Sequence, residues 1–172
     1  MRVVSIFGTS GSGKTTTVEV IVRELCRRGY SVGTVKDIHA EGFSLEQAGS
    51  NTHRHREAGS LLVTARGLTE TDMLYPRRLD IEEILLHYDQ DFVILEGVRD
   101  GDLPQIIAAK DEQEVDERLD PRVIAITGVL ANTRQEYKGL PVFSALTRAN
   151  ELVDFIEEQV DDATFGKHCT RE

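Results

Sequence analysis

Gly8, Thr9, Ser10, Gly11, Ser12, Gly13, Lys14 and Thr15 carry the most specific chemistry in the sequence. Their spacing is GxxxxGK[ST], in which glycines let successive backbone N–H groups turn toward phosphate oxygens and the lysine supplies a point charge for the β and γ phosphates. Thr15 offers a hydroxyl to Mg2+, a hard cation that keeps several waters and takes few protein ligands. Together with Thr16, these residues are expected to bind a purine nucleoside triphosphate. A plain Gly/Ser turn requires neither the Lys-Thr ending nor the strand and helix patterns that flank it.

A second set of groups would complete such a site. Phe92, Val93, Ile94 and Leu95 form an apolar run that ends in Glu96 and Gly97. An acid at the end of a buried strand is where a phosphate-loop protein holds a water of the magnesium shell or orients the attacking water. Asp is the commoner residue there, and Glu96 is the candidate catalytic and metal-site group beside Lys14 and Thr15. Asp37 follows another strand pattern, opens on the same sheet edge, and is the second acidic candidate. Lys36, His39, Arg54, Arg56 and Arg99 lie at or after strand patterns and are the cations able to line an anion pocket for a second ligand. His53 and His55 do not form a zinc pair, because i and i+2 point to different helix faces and no third ligand has suitable spacing. The guanine-reading NKxD pattern is absent, since Asn132, Thr133, Arg134 and Gln135 do not supply it. These residues alone therefore leave the purine base open.

The elements that must position these groups follow from periodicity. Arg2 to Phe7 is a short apolar run before glycines, as expected of a buried parallel strand feeding a tight turn. From Lys14 to Arg28 the period changes, and Val18, Ile21, Val22 and Leu25 make one helical stripe that Gly29 can terminate. Ser31 to Lys36 predicts the returning strand of a β-α-β crossover. Asp37 to Thr52 is a long polar stretch. His53 to Ala58 predicts a short helix closed by Gly59, and Ser60 to Ala65 a strand. Leu79 to Tyr88 has helical spacing with Asp80 as N-cap and Glu82 and Glu83 near the positive helix end. Phe92 to Leu95, Gln105 to Ala109 and Val123 to Thr127 are strands, Leu140 to Phe143 is a weaker one, and Arg148 to Val160 is a terminal helix. Repeated strand-helix alternation predicts an α/β domain, a mostly parallel sheet flanked by helices, of the P-loop NTPase fold.

Bulk properties bound the rest. A chain of 172 residues is expected to form one nucleotide-binding domain over 1–160, with 161–172 as a flexible tail. No apolar run approaches the roughly 20 residues that span a bilayer, and MRVVSIFG leaves no room for a signal region, so a cytoplasmic location is expected. Thirty acidic against twenty basic side chains give a net charge of −10, which argues against a nucleic-acid partner. The two cysteines, Cys26 and Cys169, form no metal-type spacing, and Cys26 is expected to pack as a small apolar residue.

With these residues in view, roughly residues 2 to 160 resemble the molybdopterin-guanine dinucleotide biosynthesis protein B family. The phosphate loop has that family's GxxGxGKT form. A second block, Lys36, Asp37, Ile38 and His39 followed by Ala48 to Thr52 and Arg56 to Gly59, is similar to its KH-x-H, PGKDS and R-x-AG elements. Leu95 to Arg99 looks like its VEGFK. Asp37 stands where the family has its first histidine, Ser50 and Asn51 replace a Lys-Asp pair, and Arg99 replaces a lysine. The resemblance implies GTP as the nucleotide, weak hydrolysis, a homodimer, a molybdenum cofactor guanylyltransferase as partner, and molybdopterin as the compound served. Two other readings use the same loop. A small-molecule P-loop kinase would need a mobile arginine-bearing lid, for which only Arg77 and Arg78 stand out. A nickel-insertion GTPase would need clustered Cys or His ligands, which the sequence lacks.

Overall fold

The apolar run behind Met1 forms strand β1 (Arg2–Gly8), and the chain leaves its end through the glycine-rich loop into helix α1 (Lys14–Arg27). Strand β2 (Val32–Lys36) completes the crossover. Helix α2 (Asn51–Glu57), strands β3 (Val63–Arg66) and β4 (Thr71–Leu74) and helix α3 (Ile81–Leu85) follow. The chain then runs through β5 (Phe92–Glu96), β6 (Gln105–Ala108), α4 (Glu112–Asp116) and β7 (Val123–Thr127). A 3-10 turn (Val129–Asn132), the short strands β8 (Glu136–Tyr137) and β9 (Leu140–Pro141), and helix α5 (Ala149–Gln159) complete it. This computed structural model describes residues 1–163. Two compact units result, one built from Met1–Asp37 and the chain from Leu85 onward, the other from Ile38–Ile84.

The first unit is a five-stranded parallel sheet in the order β2-β5-β1-β6-β7. Its central strands bury both faces, so they read as continuous apolar runs rather than as alternation. On one face Val4, Ile6, Ile94 and Ile106 pack with Ile21 and Leu25 of α1 and Leu152, Val153 and Ile156 of α5. On the other, Phe7, Ile107 and Ile126 pack with Val115 of α4 and Leu130 of the 3-10 turn. The expected sheet with helices on both sides is thus formed. Full burial of each Ile or Leu contributes roughly 1.5–3 kcal/mol. Cys26 departs from expectation: it is exposed, because it follows Leu25 by one step of about 100° and so turns away from the buried stripe.

Polar contacts tie α1 to α5. Glu24 accepts from Arg27 Nε and Nη2 at 2.7 Å each and from Arg28 Nε at 2.8 Å. Arg28 also reaches Asp154 of α5 at 2.7 Å and pairs with Glu157. Arg27, then Arg28, hold the Glu24 carboxyl down at about 2 against an ordinary value of 4.5. The unfolded chain therefore binds that proton more readily than the folded one. The stabilisation present above pH 4.5 is lost as pH falls toward 2. Glu24→Gln is expected to flatten the acid limb of melting temperature against pH across that window. A limb as steep as the wild-type's would remove Glu24 from this role.

The second unit differs most from expectation. Its helix begins at Asn51 rather than His53, because Ser50 is the N-cap and accepts the His53 N–H at 3.2 Å. The expected strand over 60–65 lies over 63–66 and pairs antiparallel with β4, which periodicity did not mark. The helical pattern over 79–88 contracts to α3. Asp80 N–H donates to Glu83 Oε2 at 3.0 Å, half of a capping box at its start. In the first unit, Tyr88 leaves the helical path, its hydroxyl donating to the Thr34 carbonyl at 2.8 Å. The weak strand over 140–143 becomes a two-residue hairpin arm turned by Lys138 and Gly139, both with positive φ, before Val142 bridges to Ile126. Of the expected tail, Asp162 bridges Arg2, and residues 164–172, including Cys169, lie outside the described residues.

Candidate functional site

The loop between β1 and α1 is held by its own carbonyls and by a neighbouring turn. The Thr9 carbonyl accepts from Ser12 Oγ at 2.9 Å and from Lys14 Nζ at 2.6 Å. Gly13, at φ 101°, is the N-cap of α1. Gly128, just past β7, sits at φ 93° under the loop, where a Cβ would lie 2.4 Å from the Ser12 carbonyl oxygen and 2.7 Å from that of Ala109. Only glycine allows so close an approach of two backbones. Thr9 Oγ1 donates to Glu114 Oε1 at 2.6 Å, and Glu114 Oε2 accepts the Lys110 N–H at 2.9 Å. The result is a chain turned around a fixed concavity at the positive end of a 14-residue helix, the geometry that receives phosphate.

Parallel register brings the acid to this loop. Ile6 and Lys36 both stand opposite Glu96, so β2 and β5 end level while β1 runs on to Gly8 and into the loop. Thr15 Oγ1 donates to Glu96 Oε1 at 2.8 Å and Lys36 Nζ to the same oxygen at 2.9 Å. Glu96 is 8% exposed. Burial works to raise its pKa, but hydrogen bonds from Lys36 and Thr15 and the charges of Lys36 and Lys14 outweigh it, and the carboxyl is held below its ordinary value. Asp37 follows directly, its N–H donating to the Glu96 carbonyl at 2.9 Å. A hydroxyl and an ionised carboxylate in contact are oxygen donors of the kind Mg2+ takes. Among the described residues no three His, Cys, Asp or Glu groups are gathered to hold a metal, so an ion at Thr15 and Glu96 would need phosphate oxygens and water as its other ligands.

The cations proposed for a second ligand are divided between the two units. Lys36 and Arg99 belong to the first unit, and His39, Arg54 and Arg56 to the second. Lys36 is paired with Glu96. The Arg99 guanidinium lies over the Phe7 ring, 4.9 Å from its centroid. Arg56 pairs with Glu46, Arg54 is exposed on α2, and His39 lies in the loop after β2.

Sequence reading missed two features. A cavity of about 160 Å3 adjoins the phosphate loop, lined by Gly13, Thr17, Gly128, Asn132, Ser144 and Leu146 among others. Asn132 had been weighed only against NKxD, and no linear pattern joins it to Ser144. Glu114 was also passed over, although Asp111 three residues earlier is its N-cap, accepting the Glu114 N–H at 2.9 Å. That D-x-x-E spacing after a strand was the available signal for α4.

The family model described as molybdopterin guanine dinucleotide synthesis protein B matches residues 3–129. Among curated relatives, a molybdopterin-guanine dinucleotide biosynthesis adapter protein of Haemophilus influenzae is 30% identical over 162 residues, covering 88% of this chain and 85% of the relative. A probable adapter of the same description from Bacillus subtilis is 25% identical over 163 residues, covering 92% of each. Two solved structures share the fold: MobB of Bacillus subtilis, with a TM-score of 0.74, 22% identity and coverage of 95% of this chain and all of that one, and a MobB homolog from Bacillus stearothermophilus, with a TM-score of 0.67, 21% identity and coverage of 91% and 99%. The phosphate loop, the strand-end acid and the parallel sheet that aligns them are thus found in a chain that belongs to the molybdopterin guanine dinucleotide synthesis protein B (MobB) family.

Proposed function

We propose that the protein is a GTP-binding adapter with weak GTPase activity in molybdenum cofactor biosynthesis, where molybdopterin-guanine dinucleotide is made. The observation that carries this is the meeting of Lys14, Thr15 and Glu96 at one sheet edge in a chain of this family. Gly8 to Thr16 surround the triphosphate, Lys14 exchanges its contact with the Thr9 carbonyl for the β and γ phosphates, and Thr15 with Glu96 holds Mg2+. The metal, when bound, neutralises charge on the phosphate oxygens. Glu96, being ionised, orients water and accepts its hydrogen bonds, with Asp37 beside it. The base enters the cavity next to the loop, where exposed Val129 and Leu146 offer apolar faces and Asn132 and Ser144 offer polar groups to its edge.

Hydrolysis in such a site is slow because Arg99, which follows the Glu96 strand, is stacked on Phe7 and not offered to the phosphates. The adapter works in the cytoplasm as a homodimer. Its partner is the guanylyltransferase that joins GMP to molybdopterin, and no described helix is long and apolar enough to cross a membrane. Competitive titration with GTP and ATP in Mg2+ tests the reading. GTP is expected to bind at least about 10-fold more tightly, a difference of ~1.4 kcal/mol. Equal or tighter binding of ATP would refute the assignment of the base.

A further inference from the structure

The second unit contains a pocket that the nucleotide chemistry does not use. It is a cavity of about 620 Å3 whose lining includes Phe43, Glu46, Arg56, Met73, Tyr75 and Arg78. That volume falls within the roughly 300–1,000 Å3 of small-molecule sites. Glu46 is its anomaly. The side chain is 3% exposed, yet neither carboxylate oxygen accepts a hydrogen bond from any described group. Arg56 Nη1 stands 3.0 Å from Oε2, near enough to balance the charge but not aligned to donate. Buried lone pairs without donors are costly, and when they line a cavity the missing donors belong to what fills it.

The walls define that ligand further. Phe43, Met73 and Tyr75 offer flat or adaptable apolar surface. Three guanidiniums, those of Arg56, Arg77 and Arg78, line the same pocket, Arg56 beside Glu46 and Arg77 bound to Glu83 at 2.7 and 2.9 Å. We infer that this pocket binds a flat fused heterocycle that presents two adjacent N–H donors to Glu46 and carries a phosphate toward the arginines. Pterins and guanine share that amino and ring N–H edge. The inference rests on the role in molybdopterin-guanine dinucleotide assembly proposed above, and it assigns to Glu46 and Arg56 the recognition of the second compound.

Titration of the full-length protein with neopterin monophosphate, followed by its own fluorescence, tests the site. Saturable binding is expected, with the corresponding lumazine phosphate at least about 30-fold weaker, because a carbonyl in place of the 2-amino group turns a charge-assisted hydrogen bond into a repulsion. Glu46→Gln is expected to weaken the pterin by a similar factor, and Arg56→Ala by about 10- to 100-fold. GMP, titrated calorimetrically against wild-type and Glu46→Gln, identifies the source of the edge. Sensitivity of GMP alone to Glu46→Gln gives the pocket to a guanine nucleotide, and sensitivity of neopterin monophosphate alone gives it to a pterin. Equal binding of pterin and lumazine by the wild-type protein overturns the inference whether or not the variants fold. So does a Glu46→Gln protein that melts like the wild-type and binds both probes unchanged, which leaves the cavity to water. A parallel GTP titration of the wild-type protein reads the proposed function separately: its failure with the pterin discrimination intact refutes the nucleotide role and not this site.

Discussion

Lys14→Ala is expected to weaken GTP binding by at least about 100-fold while the ligand-free protein melts within about 4 °C of the wild-type. The first number follows from what the ammonium does. A lysine between two phosphates makes charge-assisted hydrogen bonds worth roughly 1.5–3 kcal/mol each, and two of them correspond to about two to four decades of affinity. The second follows from what it does without nucleotide. Lys14 is half-buried and donates to the Thr9 carbonyl at 2.6 Å, but Ser12 Oγ donates to the same oxygen, so the carbonyl keeps a partner when the lysine goes. The fold of the loop is fixed by backbone contacts at Gly13 and Gly128, which the substitution does not touch. Calorimetric titration of GTP in Mg2+, with a melting curve of each protein, reads both quantities. Unchanged affinity would show that Gly8 to Thr15 does not receive the triphosphate.

Legibility followed the strength of local signals. The strand, loop and helix around Lys14 were readable because glycine spacing, a Lys-Thr pair and the 3.6-residue stripe of Val18, Ile21 and Leu25 all agree over one short segment. Glu96 was readable for the same reason, since it closes the four-residue apolar run Phe92 to Leu95 at its carboxyl end, the sheet edge where the phosphate loop lies. The second unit was harder. Ser50 was noticed as a departure from a family motif, whereas its side chain caps α2, and no periodicity separates a cap from a ligand. Thr71 to Leu74 is short and mostly exposed, so β4 exists by pairing with β3 and has no stripe of its own. Lys36 and Arg99 were grouped with Arg54 and Arg56 by position after strands. What distinguishes them is tertiary: Lys36 is committed to Glu96, Arg99 to the ring of Phe7, and Arg56 to a carboxylate ten residues earlier in the chain. Glu46 gave no signal at all, because a glutamate in a polar stretch reads as solvated until its burial is seen.

Glu96→Gln is expected to keep GTP binding and to lower single-turnover hydrolysis by about 100-fold, the usual scale for losing a positioned acid or base. The substitution preserves shape: a glutamine carbonyl can still accept from Thr15 and Lys36, whose donors now converge on one oxygen at 2.8 and 2.9 Å. What disappears is the negative charge. In the wild-type protein that charge persists through neutral pH, because Lys36, Thr15 and Lys14 outweigh burial and hold the carboxyl below its ordinary value. Two consequences separate orientation of water from proton donation. Hydrolysis by the wild-type protein should show no loss attributable to this group as pH falls from 8 to about 5, since an acid of ordinary pKa near 4.3 that is further depressed remains ionised there. The variant should need more Mg2+ for half-maximal rate, because a neutral amide holds the ion's water shell less firmly than a carboxylate. Phosphate release measured against pH and Mg2+ in both proteins tests each point. Equal turnover, with an unaltered magnesium requirement, would reduce Glu96 to the strut that joins Thr15 and Lys36 at the end of β5.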